Sequence, residues 1–323
     1  MAWRSSKVRT TASNRDLAIR PLGLGEIIDR AVALTVRHFR PLFLWMLLLQ
    51  APAIALSRLQ LAGAGELLAS FGDPPAALAA LKELSRTSIW IVAVLFLLQF
   101  AATGLCAAVV APSLLAGTGL EPPPARRRVA AVATGALASL LLLFLLPAMA
   151  ALPGLVLLAR ARSTAAWAIG LILLVGGVLI AFLLTVLRTL LAPSVAAVEA
   201  RPHFSGVLRS AALMRSAGGV ALLERPAVRA SLVLFATFAI ALAVSVIVGI
   251  PRGIVGRAAG GSAFLPATLS LGVELPLALF ETVASAALQP FSLVAVTVLY
   301  FDRRARREGL DLDRFAADAE ARG

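Results

Sequence analysis

The sequence predicts an all-α, polytopic integral membrane protein with six transmembrane helices, and three observations carry that prediction. Apolar segments of about 20 residues recur along the chain, the length a helix needs to cross roughly 30 Å of hydrocarbon. Of the 323 residues, 60% are hydrophobic and 15% charged, where soluble domains carry about 25% charged residues; mean hydropathy is +0.91. Arginine is distributed unevenly between alternate loops.

The chain opens with MAWRSSKVRTTASNRDLAIRPLG, which is basic and lacks an apolar h-region. That is expected to be a cytosolic anchor (1–20) rather than a cleaved signal peptide. Next, LGLGEIIDRAVALTVRHFR reads as an amphipathic helix. Glu26, Asp29, Arg30, Arg37 and Arg40 mark one face, and Ile27, Ile28, Ala31, Leu34 and Thr35 the other. Glu26 and Arg30 are spaced i,i+4 for a surface pair.

Six spans follow, at about 41–61, 89–115, 129–158, 165–187, 228–250 and 273–300. All are too long and unbroken for half-buried strands, and only a helix satisfies its own backbone in hydrocarbon. Between the first two, Asp73-Pro74-Pro75 reads as a turn before a short outer helix at 76–84. Pro147 and Pro153 interrupt span three, and Pro276 and Pro290 span six; each removes a helix hydrogen bond and bends its helix. In HFSGVLRSAALMRSAGG, Phe204, Val207, Leu208, Ala211 and Met214 recur at helical spacing, and Gly218-Gly219 supplies a stop. The whole of 21–315 reads as one membrane domain with a short tail at 316–323.

Orientation follows from the basic residues. With a cytosolic N-terminus, the inner side holds eight Lys and Arg before Pro41, three at Arg126–Arg128, five from Arg201 to Arg229 and six after Tyr300. The outer side holds seven, among them Arg58, Arg86, Arg252 and Arg257, and Arg188 lies within span four. A bias of 22 to 7 places both termini in the cytosol. Trp90 and Trp167 then fall at the outer interface, and Trp45 and Tyr300 at the inner one. The net charge of +13 and pI near 11.6 are accounted for by arginines facing an anionic leaflet, so nucleic acid is not an expected partner. Cys106, the only cysteine, reads as a packing residue.

Three stretches resemble the glycerophosphoryl diester phosphodiesterase membrane domain family. RPLGLGEIIDRAVALTVRHFRPLF is similar to its opening. APSVAAVEARPHFSGVLRSAALMRSAGG is similar to its middle cytosolic stretch, with Ala211 where that family carries a tryptophan. LYFDRRARREGLDLDRF is similar to its ending and is the most specific of the three. The resemblance covers about Arg20 to Phe315 and implies a bacterial cytoplasmic (inner) membrane protein. In some members the membrane part is fused to a catalytic barrel of roughly 250 residues; this chain carries only the membrane part, so the resemblance does not extend to phosphodiesterase activity.

The residue inventory argues against soluble-type enzymes. His38 and His203 are the only histidines, and neither has a partner at metal-ligand spacing. No phosphate-binding GxxxxGK loop, GxSxG elbow or HExxH pair occurs, so no cofactor or metal is expected. The intramembrane polar residues Glu281, Arg188, Gln99 and Gln289 are the candidates. Glu281 is read as lying well inside span six, where a charge costs about 2.5–3.5 kcal/mol and needs a partner; Gln99, Gln50 or Gln289 would supply one. Arg188 at the inner end of span four would snorkel to phosphates. The charged ending offers a docking surface, for the same chain or a neighbour, with Glu26, Arg30, Asp302, Arg303, Arg306, Glu308 and Asp311 as its candidates. Its acids would pair with arginines of the same helix or with Arg126–Arg128.

The sequence therefore favours a non-enzymatic scaffold or accessory subunit that binds membrane lipids or a membrane or cytosolic protein. The alternative is a carrier or lipid-translocating protein using the kinked helices around Glu281. An intramembrane enzyme would require Arg188 and Glu281 to converge. Oligomeric state is left open.

Overall fold

A computed structural model describes residues 21–69, 74–115, 122–160, 163–215, 225–258 and 271–309. The described residues form nine helices and no strand: α1 (Leu24–Arg37), α2 (Phe39–Ala69), α3 (Pro74–Leu115), α4 (Ala125–Arg160), α5 (Thr164–Thr189), α6 (Ala192–Glu199), α7 (His203–Leu213), α8 (Pro226–Ala258) and α9 (Leu271–Glu308). Six stretches are long and apolar enough to cross a membrane, 39–58, 86–115, 125–160, 164–199, 226–258 and 272–308. The protein is a multi-pass, all-α membrane protein. Residues 1–20, Asp311 and the tail at 316–323 lie outside the described residues.

The most buried of the six spanning helices is α9, which packs on α1, α2, α3 and α8. The core around it joins Ile27, Leu34, Met46, Val110, Leu191 and Tyr300, all buried. The helices α4 and α5 form a tight hairpin of their own. Their closeness depends on small residues, because a Cβ on Gly154 would lie 2.5 Å from the backbone nitrogen of Leu174, and one on Gly177 2.9 Å from the carbonyl oxygen of Ala150. Close backbone approach of this kind substitutes for the hydrophobic drive that lipid removes. The fully buried, small-residue helix α6 links this hairpin to α3.

The amphipathic reading of α1 agrees with the structure: Ile27, Ala31, Leu34 and Thr35 are buried. At its start the Glu26 carboxylate accepts from the Gly23 N–H at 2.7 Å, which occupies an otherwise orphaned donor. The Leu22 N–H donates to Asp302 Oδ1 at 2.8 Å, so the first described segment and the end of α9 meet at one end of the bundle. Six crossings require this. That end is called proximal below.

Three expectations are corrected. The Asp73-Pro74-Pro75 turn is not followed by a separate short helix; α3 runs unbroken from Pro74 to Leu115, because proline is tolerated in a first helical turn. Tyr300 is not an interfacial ring but is fully buried. On α7 the inward face is Gly206, Val207, Ser210 and Leu213, while Phe204 and Leu208 are exposed, Leu208 by 68%. Here Gly206 already sits against the carbonyl oxygen of Arg201 and Ser210 donates to that of Arg188 at 2.7 Å, so at these two positions only small residues fit. Glu281 stands 21 residues before Asp302, about 31 Å along a helix at 1.5 Å per residue, and so lies towards the other, distal end of the bundle.

Candidate functional site

Two antiparallel helices, α2 and α9, carry matched polar positions. Gln50 and Arg58 are eight residues apart on one, and Glu281 and Gln289 eight apart on the other. Antiparallel packing therefore brings both pairs into contact at once, about 12 Å apart in depth. The Arg58 guanidinium donates to Glu281 Oε2, and Gln50 Nε2 donates to Gln289 Oε1. Gln289 Nε2 in turn donates to Gln99 Oε1 of α3 at 2.7 Å.

The expected partners of Glu281 are thus corrected. The three glutamines satisfy one another, and Glu281 meets arginines instead: Arg58, and Arg252 of α8 with its Nη1 at 3.8 Å. Arg252 also donates to both oxygens of Glu274, at 2.7 and 2.9 Å. Charge explains the choice, since an ionised pair exchanges more energy than an amide–carboxylate contact. The side chains of Glu281 and Arg58 are 13% and 28% exposed, and what they are exposed to is a groove.

Both α2 and α8 pack on α9 without packing closely on each other. Between them lies a cleft of about 810 Å³, lined at the proximal end by Ile28, Val32 and Phe39. Along α2 it is lined by Phe39 at one end and by Ile54, Ser57 and Arg58 at the other, limits 19 residues or about 28 Å apart. That is nearly the full hydrocarbon thickness. The walls are mostly apolar, with Leu234, Phe238 and Val248 on α8. The floor is different: Glu281, Ser285, Gln289 and Ser292 of α9 all line the cleft, at spacings of i, i+4, i+8 and i+11. They form one polar stripe of about 16 Å on a single helix face. A second cavity of about 380 Å³ lies behind Gln50, Gln99 and Gln289, so the amide chain is a wall between two spaces.

The proximal end holds the other polar cluster. Glu199 closes α6 at its C-terminus, where the helix dipole opposes a negative charge. Cations and a hydroxyl compensate: Arg201 Nε at 2.9 Å, Arg209 Nε at 3.2 Å, and the Tyr300 hydroxyl donating at 2.9 Å. Glu308 binds Arg304 of its own helix at 3.0 Å, and also Arg209. Burial works against the charge on Arg209, but Glu199 and Glu308 outweigh it and hold its pKa above the ordinary value. Asp302 is bound by Arg306 at 3.0 Å and approached by Arg229 at 3.6 Å.

Asp302 and Arg303, expected on a docking surface, are buried. The surface they dock is the chain's own start: Asp302 holds the Leu22 N–H, and Arg229 and Arg306 donate to the Leu22 carbonyl, Arg306 at 2.7 Å. Among the described residues Glu308 pairs with Arg304 and Arg209 rather than with Arg126–Arg128. Glu26 and Arg30 sit on α1. Arg188 lies at the proximal end, its carbonyl bonded to Ser210, some 30 Å from the level of Glu281 by helix rise; the two do not converge. Among the described residues no group of three or more His, Cys, Asp or Glu is placed to hold a metal. The arginines Arg58, Arg252, Arg209 and Arg229 and the hub Glu199 were not singled out from sequence. The eight-residue match between Gln50/Arg58 and Glu281/Gln289 is the signal that would have found the first.

Compared with family models, curated proteins and solved structures, the chain matches none.

Proposed function

We propose that this chain is a non-enzymatic lipid carrier of a bacterial cytoplasmic membrane, with both termini cytosolic, which takes a glycerophospholipid-class amphiphile into the groove between α2 and α8. The observation that carries this reading is the polar stripe Glu281, Ser285, Gln289 and Ser292 on the floor of an otherwise apolar, membrane-depth cleft. A phospholipid moving between leaflets must keep its headgroup hydrated or hydrogen-bonded while its tails stay in hydrocarbon. A row of hydroxyl, amide and carboxylate groups beside an apolar wall supplies that for each step of about 6 Å, one helical turn. At the distal end Arg58 and Arg252 offer guanidinium groups suited to a phosphate, and Glu281 and Glu274 keep the site close to neutral, so that a headgroup is not trapped there.

The cytosolic placement of the ends rests on the arginine bias of 22 to 7. The meeting of Leu22 with Asp302 supports a shared compartment. The resemblance to the glycerophosphoryl diester phosphodiesterase membrane domain family is retained as a proposal on the quoted motifs, and with it the bacterial inner membrane. The scaffold reading accounts for the proximal ion pairs but gives the groove no role.

The test is reconstitution of the purified chain in proteoliposomes containing a fluorescent phospholipid, with outer-leaflet quenching as the readout of translocation. The wild type is expected to translocate lipid faster than protein-free vesicles. Ala241→Trp, which places an indole in the groove from the α8 wall, is expected to lower the rate about tenfold or more while leaving the monodisperse fold intact. A wild-type rate equal to that of empty vesicles would remove the carrier reading.

A further inference from the structure

At the proximal end, two guanidinium groups pair with one carboxylate and a third stands beside them. Asp302, whose side chain is 0% exposed, is shared by Arg306 and Arg229. Arg303 follows Asp302 in the chain and lies within electrostatic reach of Asp302, Arg229 and Arg306. Arg303 and Arg306 are also i,i+3 neighbours on one face of α9. The site therefore holds an excess of two positive charges.

Its hydrogen bonds show the same imbalance. Arg306 and Arg229 are engaged by Asp302 and the Leu22 carbonyl. Arg303 is 5% exposed, yet its Nε and Nη2 are buried with no acceptor among the described residues, and the Nε of Arg229 is in the same condition. A buried, charged donor without an acceptor is rare and calls for an explanation, a bound ion among them. The geometry of the unmet donors is informative. Nε–H and the neighbouring Nη2–H lie along one edge of the guanidinium plane, the edge that accepts two oxygens of a single oxyanion side by side. Excess positive charge and an open two-donor edge call for the same ligand.

We infer that Arg303, with Arg229 and Arg306, forms a binding site for a phosphate-type oxyanion at the proximal end of the bundle, between the start of α1, the start of α8 and the end of α9. The Arg303 edge binds two phosphate oxygens, and the Nε of Arg229 reaches a third. Asp302 holds Arg229 and Arg306 in place and leaves two positive charges for the ligand. The same chemistry is presented by the phosphodiester of an anionic lipid headgroup and by free phosphate. The site is independent of the groove, and its failure would leave the carrier reading untouched.

The experiment measures the full chain, purified in a zwitterionic detergent and in nanodiscs. Inorganic phosphate is titrated into the detergent sample, with chloride at matched ionic strength as the control, and the thermal midpoint and bound phosphate are read. In parallel, the midpoint is compared in phosphatidylglycerol and phosphatidylcholine nanodiscs. Saturable binding of phosphate, not reproduced by chloride, identifies the free anion. Stabilisation confined to phosphatidylglycerol identifies the headgroup. In either arm Arg303→Gln is expected to weaken the response about tenfold or more. Arg303→Lys, which keeps the charge but loses the two-donor edge, is expected to weaken it as well, and serves if the Gln variant does not fold. A wild type indifferent to both probes overturns the site, as does a response that Arg303→Lys and Arg303→Gln leave unchanged. Indifference coupled with a fall in midpoint on Asp311→Asn would assign the arginine edge to the chain's own carboxylate.

Discussion

Replacing Glu281 by Gln keeps the shape of the side chain and removes its charge, leaving Arg58 facing a neutral amide at the distal end of the bundle. Arg252 is affected less, because Glu274 holds it through two bonds at 2.7 and 2.9 Å, whereas its Nη1 approaches Glu281 only to 3.8 Å. The loss therefore falls mainly on the Arg58–Glu281 pair. Two unit charges about 4 Å apart interact by about 4 kcal/mol at the effective dielectric near a protein surface, and removing one partner of a fully buried pair costs about 3–5 kcal/mol. This pair opens into the groove, with Arg58 28% exposed, so the expected destabilisation for Glu281→Gln is about 2–3 kcal/mol.

The companion variants separate charge from packing. Arg58→Gln alone is expected to cost less than Glu281→Gln, because Arg252 remains beside the carboxylate. The double variant Arg58→Gln/Glu281→Gln is expected to lie within about 1 kcal/mol of the wild type, a coupling of about 2 kcal/mol. Cys106 provides the assay: it is the only cysteine and is fully buried, so a thiol-reactive dye reports global unfolding in detergent without an added label. If the two single losses simply add in the double variant, the ion pair does not form and the distal end of the groove is built differently.

Two further outcomes follow from other parts of the fold. Gly154→Leu places a side chain where even a Cβ would lie 2.5 Å from the Leu174 backbone nitrogen; a backbone atom has no rotamer to escape into, so the α4–α5 hairpin must separate. The expected loss is about 1–3 kcal/mol by the same thiol assay, and an unchanged midpoint would mean the hairpin is not packed this closely. His38, half-buried and 2.8 Å from the Ser113 hydroxyl, has its pKa held below the usual 6.5 by burial first and by Arg37 second. Its neutral form is the one the fold favours, so the unfolded chain binds the proton more tightly. The stability it contributes is present above 6.5 and is lost as pH falls through 6.5 towards the lowered folded value. Wild type is expected to lose more midpoint than His38→Gln between about pH 7.5 and pH 5.5, and parallel profiles would refute the assignment.

What was legible in the sequence was whatever lipid makes one-dimensional. Hydrocarbon forces continuous apolar runs, so the six spans could be read to within a few residues at most edges, and the inward face of α1 could be read from its period. Arginine counting placed Arg58 and Arg252 on one side of the membrane, and the structure brings those two to one carboxylate. Faces that depend on close approach were not legible. On α7 the apolar period favours Phe204 and Leu208 inward, but Gly206 and Ser210 win because the neighbouring carbonyls are too near for anything larger. The polar stripe on α9 was hidden for a different reason. Ser285 and Ser292 are ordinary in transmembrane helices one at a time, and acquire meaning only when Glu281 and Gln289 are seen on the same face and that face is seen to be uncovered.

The same reasoning distinguishes the two polar ends of the molecule. At the distal end Arg58 and Arg252 oppose Glu281 and Glu274, charges that balance beside the groove; under the carrier proposal such an arrangement passes a headgroup on without holding it. At the proximal end Glu199 and Glu308 are each bound by more than one arginine, and Asp302 leaves Arg303 over. The proximal charges are locked into the fold and retain a surplus. A protein that only needed a positive inner face would keep those arginines in water, where they cost nothing to solvate. Burying Arg303 with two donors unmet carries a desolvation cost that topology does not require, and an oxyanion in that edge is the arrangement in which the cost is recovered.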